Sequence, residues 1–298
     1  MSYSKTGKYS RREMIFAAAG FALAGSVSPA AGKRVNKLQF GFTSYIWGRE
    51  WDLPVLISNC VALKAYGVEM RVETKSEHGV ELEIDKSRRS EIRKMFADSP
   101  VKVLGLATGE RFDHVDPEKL KAAIEKAKRY AELSHDIGGS GIRVFPNDFH
   151  KEVPQEKTIE QIARGVDEVA IAAAGFGQLI RLENHGSAGR LKTLKLIMDK
   201  VNSKNVGIKL NSDAKDAVDG SFPENFNLVR NHLGDTLHMH DLRAVDFPYQ
   251  LQTDLLIDAG WAGWCLPELD KPPVDRMAGL REQRRIWDQL VETSLNRL

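Results

Sequence analysis

Two histidines stand two residues apart in the segment LHMHDL, which begins at Leu237. If this segment is a β-strand, His238 and His240 point to the same face, because side chains alternate between the two faces of a strand. Imidazoles on one face can bind a metal ion, can act as a general base with its helper, or can be ordinary polar strand residues. The neighbouring segments help to choose among these interpretations.

Carboxylates stand at the corresponding place in three other strand-like segments. Glu183 closes QLIRLE, Asp213 follows VGIKL, and Glu268 closes GWCLPE. Together with His238 they offer three carboxylates and one imidazole, and they leave coordination positions open for water or substrate. The pattern therefore predicts a divalent metal site that suits Mn²⁺, Mg²⁺, Co²⁺ or Zn²⁺.

These segments belong to a regular alternation of strand-like and helix-like stretches. The clearest helix begins at Pro117, with Asp116 as its cap, and ends near Ile137. Eight strands, each followed by a helix, over about 260 residues predict an α/β fold, a (β/α)₈ TIM barrel in a single domain spanning residues 32–298. A doubly wound open sheet is the alternative, but the sequence lacks the glycine fingerprint of dinucleotide-binding folds. The eight candidate strands begin at Leu38, Gly67, Val101, Gly141, Gln178, Val206, Thr236 and Gly263.

Apolar residues alternate with polar ones inside several candidate strands. In a barrel the apolar set must face the helix layer, so the polar set points into the barrel interior. An unpaired buried charge costs several kcal/mol, so these residues must pair with one another, with a metal or with a polar ligand. For the deeper residues, internal ion pairs such as Arg181 with Glu69 or Glu73 are the alternative to a functional site. The deeper polar set comprises Glu69, Arg71, Arg181 and Lys209.

Four segments resemble the last four strands of the xylose-isomerase-like barrel superfamily, in its sugar phosphate isomerase/epimerase branch. The resemblance spans nearly the whole chain after residue 31, but its specificity is concentrated in these segments. They are LENHG (182–186), LNSD (210–213), LHMHD (237–241) and the run from Asp246 to Asp270.

The resemblance implies particular site residues. The usual seventh-strand pattern of the family is His-x-Lys-Asp, and His240 stands at the Lys position, so His240 is carried over as a group that binds the substrate or contacts a metal ligand. Asn211 could replace Asp213 as the sixth-strand ligand after a two-residue change of register, and we prefer Asp213 because a neutral amide is a poorer ligand. Asp216 stands where similar epimerases have a substrate-binding histidine. The implied metal ligands are Glu183, Asp213, His238 and Glu268.

The resemblance also implies an activity. Glu183 and Glu268 would move a proton at a carbon beside a carbonyl through an enediolate, which is the reaction of an isomerase or epimerase of keto-sugars and related carbohydrates. Arg243, His185 and Arg143 are candidates for binding substrate oxygens. If the enediolate expels a β-substituent instead, the same site gives a lyase or dehydratase. A sugar-binding barrel without catalysis is the alternative from another functional class.

Residues 1–31 have the pattern of an export signal. Arg11 and Arg12 precede an apolar run from Met14 to Ala24, which is about half of the roughly 20 residues that a spanning helix needs. We therefore expect a twin-arginine signal that engages the Tat export machinery and gives a periplasmic or exported protein without a stable membrane anchor. A disordered tail is the alternative. Export argues against a phosphorylated substrate, because sugar phosphates are held in the cytoplasm.

Charge and cysteine content narrow the classes of partner. Without residues 1–31 the net charge falls from +2 to about −1. A chain with this charge lacks the excess of basic residues that is typical of nucleic-acid-binding proteins. An endonuclease-IV-like enzyme is disfavoured for this reason and because the eight histidines are not spaced for three zinc ions. Cys60 and Cys265 are too few for a disulfide scaffold. The oligomeric state stays open, a homo-oligomer included.

Overall fold

The apolar segments of the chain pair side by side as parallel strands, and the computed structural model describes them within residues 34–297. The predicted twin-arginine signal lies outside these residues and stays a prediction. Among the described residues, no helix combines the length and apolarity needed to cross a membrane.

The strands alternate with helices along the chain. The strands are β1 Leu38–Phe40, β2 Phe42–Thr43, β3 Gly67–Arg71, β4 Lys102–Arg111, β5 Gly141–Phe145, β6 Leu179–Glu183, β7 Val206–Lys209, β8 Thr236–Met239 and β9 Gly263–Pro267. The α-helices are α1 Leu53–Ala62, α2 Lys86–Ala97, α3 Pro117–Asp136, α4 Gln155–Ala174, α5 Leu191–Met198, α6 Phe222–Val229, α7 Tyr249–Asp258 and α8 Arg276–Leu295. Short 3₁₀ helices span Ile46–Gly48, Ser187–Gly189, Ala214–Ala217 and Arg230–His232.

The strands close into a barrel through two sheets. One sheet runs from β2 to β7 in chain order, and the other pairs β8 with β9 and β9 with β1. The first predicted strand is divided at Gly41, so that β1 pairs with β9 while β2 pairs with β3. On the other side, Ile208 bridges to Leu233, and the His238 N–H donates to the Leu210 carbonyl over 2.8 Å. The prediction of a (β/α)₈ barrel is therefore confirmed.

Capping residues in the sequence set the start of helix α3. The Asp116 carboxylate accepts hydrogen bonds from the N–H groups of Glu118 and Lys119, and Pro117 occupies the first turn. Helix α3 then ends at Asp136, one residue before the predicted end at Ile137. Helix α3 packs against β4 and β5.

Charged side chains fill part of the barrel interior. Lys209 on β7 lies 2.5 Å from Glu69 on β3, and both side chains are fully buried. These strands are not neighbours in the sheet, so the two side chains meet across the barrel. Internal ion pairs, the alternative offered for the deeper residues, are therefore present, but the example of Arg181 with Glu69 or Glu73 is wrong: Arg181 binds Asp235 with an Nε–Oδ1 distance of 2.7 Å.

Arg181 pairs with Asp235 and not with Glu73 because the two carboxylates lie just outside their strands, at opposite ends of the barrel. Glu73 comes after the end of β3 with a positive φ of 66°, and its carboxylate contacts Lys126 on α3, outside the barrel. Asp235 precedes β8 and reaches Arg181 at the amino-terminal end of the barrel. Both cysteines, Cys60 and Cys265, are buried and free.

Arg181 needs two glycines beside it. A Cβ atom at Gly105 would lie 2.7 Å from Arg181 Nη1, and one at Gly141 would lie 2.6 Å from the same atom. Gly105 also has φ +147°, a conformation that other residues rarely adopt. The absence of side chains at these two positions therefore makes room for a guanidinium inside the barrel.

We predict that Gly105→Ala lowers the free energy of unfolding by about 3 kcal/mol or more. The new Cβ would lie 2.1 Å from the Gly141 carbonyl oxygen, so the backbone has to move. Gly175→Ala is the matched control, since no atom lies within 4 Å of its Cβ position, and it should change stability by less than about 1 kcal/mol. Urea unfolding of both variants measures the difference, and equal effects would contradict this account of Gly105.

Candidate functional site

Three side chains from different strands meet at the carboxyl end of the barrel. Glu183 ends β6, His238 lies in β8 and Glu268 follows β9, and one ligand atom of each lies within 4.8 Å of the others. His238 Nδ1 is 3.1 Å from Glu183 Oε2 and 3.3 Å from Glu268 Oε2. Two carboxylates therefore face one imidazole nitrogen.

Two of the atoms that face one another in this group make no hydrogen bond to the described residues. Glu183 Oε2 and His238 Nδ1 are buried and have no hydrogen-bond partner among the described residues, because their contact lacks hydrogen-bond geometry. A buried polar atom without a partner costs about 1–3 kcal/mol. Such atoms fit a divalent cation, which would bind both of them at once.

The other ring nitrogen of His238, Nε2, is hydrogen-bonded to a third carboxylate, that of Glu69. His238 Nε2 lies 2.6 Å from Glu69 Oε2, and a carboxylate can only accept a hydrogen bond, so Nε2 carries the proton. The same arrangement, in which a second carboxylate orients an imidazole, is usual for metal-binding histidines. Glu69 in turn accepts from Lys209, so the imidazole has a fixed orientation.

The carboxylates create a strongly negative potential around His238. Burial lowers the pKa of His238, but the charges of Glu268, Glu183 and Glu69 raise it to about 10. Burial alone would raise the pKa of Glu69, yet the charge of Lys209 holds it well below the ordinary range. A positive charge at Nδ1, whether a proton or a divalent cation, is therefore favoured.

Arg143 lies beside the first of the two carboxylates. Its Nη1 is 3.3 Å from Glu183 Oε1, and both side chains are buried. Burial raises the pKa of Glu183, but Arg143 and then His238 outweigh it, so that its pKa is lowered. The guanidinium also stacks 4.0 Å from the centre of the Phe145 ring. Arg143 thus keeps Glu183 ionised and holds one of its two oxygens away from His238.

The two candidate ligands from the sixth predicted strand have different surroundings. Asp213 is not in the group of three; its Oδ1 accepts from the Lys215 N–H over 2.9 Å and caps a 3₁₀ helix. Asn211 is buried, and its Oδ1 has no hydrogen-bond partner in the described part of the chain. Asp216, three residues after Asp213, accepts from Asn184.

An open cleft of about 650 Å³ leads to Glu268. His240 lies in its wall, half buried, with Nδ1 3.2 Å from the Glu268 carbonyl oxygen. Arg243 is exposed and is ion-paired with Asp241 at 2.5 Å. The charged residues that line the cleft are Asp213, Asp241, Asp246, Glu268, Asp270, Arg243 and Lys271.

The last predicted substrate-binding residue stands on another part of the rim. His185 is exposed, two residues after Glu183. Its ring centre lies 4.6 Å from that of Phe145, and its Nδ1 lies 3.3 Å from Asn147 Oδ1. Asn147 was not among the predicted site residues, although its position just after a predicted strand was a usable signal. Glu69 and Lys209 were predicted only as interior charges, without a link to His238.

The geometry can be compared with known proteins. A family profile described as xylose isomerase-like TIM barrel matches residues 57–290, which confirms the resemblance drawn from the sequence. No protein of curated function matches the chain.

Solved structures share the fold over most of the chain. L-ribulose 3-epimerase has a TM-score of 0.71 and 15% identity over 86% of this chain and 95% of its own. The IOLI protein with a zinc atom has a TM-score of 0.73 and 16% sequence identity, over 88% of this chain and 100% of its own. The 3-keto-D-glucoside 4-epimerase YcjR from E. coli has a TM-score of 0.67 and 14% sequence identity, over 85% of this chain and 99% of its own. At these identities the similarity shows a common barrel.

We predict that Lys209→Met lowers the free energy of unfolding by about 3–5 kcal/mol, because it leaves the buried charge of Glu69 without its lysine. Adding Glu69→Gln should recover part of this loss, so that the two effects are not additive. Lys94→Met is the control: its ion pair with Asp98 is exposed, and the change should be below about 1 kcal/mol. Additive losses in a double-mutant cycle of urea unfolding would show that the two buried charges act independently.

Proposed function

Because the chain belongs to the xylose isomerase-like TIM barrel family, we propose that it is a divalent-metal-dependent sugar isomerase or epimerase. The observation that carries the proposal is the group formed by Glu183, His238 and Glu268, whose ligand atoms lie within 4.8 Å of one another. The neighbours support it, since two of them are sugar epimerases and a third is described with a zinc atom. A small carbohydrate is therefore the proposed substrate.

The proposed ligands are Glu183, Asp213, His238 and Glu268. A bound cation would polarise adjacent carbonyl and hydroxyl oxygens of the substrate and make the carbon between them more acidic. Mn²⁺, Mg²⁺, Co²⁺ and Zn²⁺ all suit this set of oxygen and imidazole ligands.

Proton transfer is the work proposed for the two glutamates. Glu183 comes from β6 and Glu268 from β9, on either side of His238, so a sugar carbon between them presents one face to each. One glutamate, as the carboxylate, removes the proton to give an enediolate, and the other, as the carboxylic acid, gives a proton to the opposite face. Arg143 favours the ionised form of Glu183, which therefore suits the role of the base.

The charge of the cleft supports an unphosphorylated substrate. Its lining has five carboxylates and two cationic side chains, and one of these cations, Arg243, is already paired with Asp241. A phosphate dianion would be repelled there, whereas a neutral keto-sugar or oxidised glycoside can donate hydroxyl groups to the carboxylates. The neighbour that acts on a 3-keto-D-glucoside makes keto-glycosides the first compounds to test.

We predict that Glu183→Gln and Glu268→Gln each abolish solvent-deuterium exchange into keto-sugars and keto-glycosides. Each amide cannot accept the proton and is a weaker ligand than the carboxylate. The measurement is mass spectrometry of the sugars after incubation in D₂O with protein and metal. Glu110→Gln is the matched control, because Glu110 also lies at the end of a strand but contacts Lys126 instead.

The outcome also separates this proposal from its alternatives. Activity that persists in both glutamine variants would contradict the proposed acid/base pair. Exchange accompanied by loss of a β-substituent would indicate a lyase. Binding of a sugar without exchange in the wild-type protein would indicate a binding protein.

We predict that Asp213→Ala weakens divalent metal binding by at least about tenfold, whereas Asn211→Ala weakens it less. A carboxylate binds a hard cation better than a neutral amide does, and Asp213 lines the same cleft as Glu268. Calorimetric titration of the purified protein with Mn²⁺ measures both affinities. The reverse order would make Asn211 the ligand, since its Oδ1 is buried without a partner.

A further inference from the structure

A hydrogen-bonded group on the loops after β4, β5 and β6 lies beside the proposed site. Its centre is the amide of Asn147, which is buried. Asn147 Nδ2 lies 3.2 Å from Asp113 Oδ2 and 3.1 Å from Asp148 Oδ2. On its other side, Asn147 Oδ1 lies 3.3 Å from His185 Nδ1. One amide therefore joins two carboxylates to the histidine.

The chemistry of the carboxylates fixes which way the amide points. Asp113 Oδ2 accepts from the Asp148 N–H over 3.2 Å, and Asp148 Oδ1 accepts from the Ser187 N–H over 2.9 Å, so both side chains act as acceptors. An amide oxygen between them would face two acceptors with no proton to share. The nitrogen of Asn147 must therefore point to the carboxylates, and its oxygen must point to His185.

This orientation determines the tautomer of His185. The amide oxygen of Asn147 can only accept a hydrogen bond, so Nδ1 of His185 must carry the proton that is donated to it. In a neutral imidazole the other nitrogen, Nε2, is then an acceptor with a free lone pair. The ring is exposed, so this acceptor is available to a ligand.

The backbone of Asn147 is held in place as firmly as its side chain. Its φ of 64° lies in the left-handed region, and its carbonyl oxygen accepts from the Ala188 N–H over 2.9 Å. A Cβ at Gly186 would lie 2.0 Å from the same carbonyl oxygen, so only glycine permits this approach of the two loops. An uncommon backbone conformation that several contacts enforce is typical of functional positions.

His185 is linked by direct contacts to the proposed acid/base pair. Its ring packs on Phe145, the guanidinium of Arg143 stacks on the same Phe145 ring, and Arg143 is paired with Glu183. The ring of His185 is therefore connected to Glu183 through two intervening side chains, those of Phe145 and Arg143.

We propose that Asp113 and Asn147 are positioning residues that lock His185 in the Nδ1–H tautomer, so that Nε2 recognises a substrate hydroxyl group as a hydrogen-bond acceptor. The ligand side of this inference rests on the proposed function. An acceptor at this place selects a group that carries a proton, such as a free sugar hydroxyl, and rejects a methyl ether or a phosphate dianion in the same position.

The tautomer can be measured without any activity. Long-range ¹H–¹⁵N correlation spectra of the ¹⁵N-histidine-labelled protein, recorded at a pH where the imidazole is neutral, distinguish a protonated ring nitrogen from an unprotonated one, and His185→Gln assigns the signals. We expect a protonated Nδ1 and an unprotonated Nε2 in the wild-type protein. A proton on Nε2, or averaged shifts for the two nitrogens, would overturn the inference.

Two variants test whether Asn147 is the cause. Asn147→Gly keeps the left-handed backbone and removes the amide, so His185 should change to the Nε2–H tautomer that a free imidazole side chain prefers. Lys75→Gly is the matched control, because Lys75 also has a positive φ, 53°, and is exposed; its spectrum should be unchanged. An unchanged tautomer in Asn147→Gly would overturn the assigned role of Asn147. If that variant does not fold, the wild-type spectrum still decides the tautomer.

Activity provides the second measurement. With a sugar that the wild-type protein exchanges, Asn147→Gly should lower kcat/KM about tenfold, while Lys75→Gly keeps the wild-type value. Wild-type kcat/KM in Asn147→Gly, together with a changed tautomer, would overturn the recognition of a hydroxyl group. If the wild-type protein exchanges no proton in any sugar, the proposed function fails, and the tautomer measurement still decides whether His185 is locked.

Discussion

The buried contact of Lys209 with Glu69, and of Glu69 with His238, is the interaction on which the rest of the site depends. A lysine and a glutamate that are both removed from water need each other, and the remaining oxygen of Glu69 then fixes His238. The hydrogen bond from Nε2 to Glu69 orients the imidazole so that Nδ1 faces the carboxylates of Glu183 and Glu268. The ionic interior of the barrel and the geometry of its carboxyl end are thus one network.

The surroundings give the two glutamates different environments. Glu183 is fully buried beside Arg143, whereas Glu268 stands at the inner end of an open cleft and keeps a small exposed surface. A ligand that enters through the cleft therefore meets Glu268 first and Glu183 last. Acidic residues line this entrance, so the electrostatic selection of a ligand happens before it reaches the centre of the barrel.

Much of the fold could be predicted from the sequence because its signals are local. The strand from Gly141 to Phe145 and the helix that begins at Pro117 have clear boundaries in the pattern of apolar residues and caps. Glu183, His238 and Glu268 could be named for a similar reason, since each ends, follows or lies within a strand that the sequence pattern predicts. The partner of Arg181 could not be named, because Asp235 lies 54 residues away and only the barrel geometry brings it near. Asn147 was missed because its role depends on three loops at once.

The division of the first strand at Gly41 has a consequence for the cohesion of the barrel. The wall consists of a six-stranded sheet and a three-stranded sheet, and the joints between them are sparsely hydrogen-bonded. Glu183 belongs to the larger sheet, while His238 and Glu268 belong to the smaller one. The ion pair of Arg181 with Asp235 joins the same two sheets nearer the amino-terminal end of the barrel. A cation at the carboxyl end would therefore fasten the two sheets together, and its free energy of binding would oppose local opening of this joint.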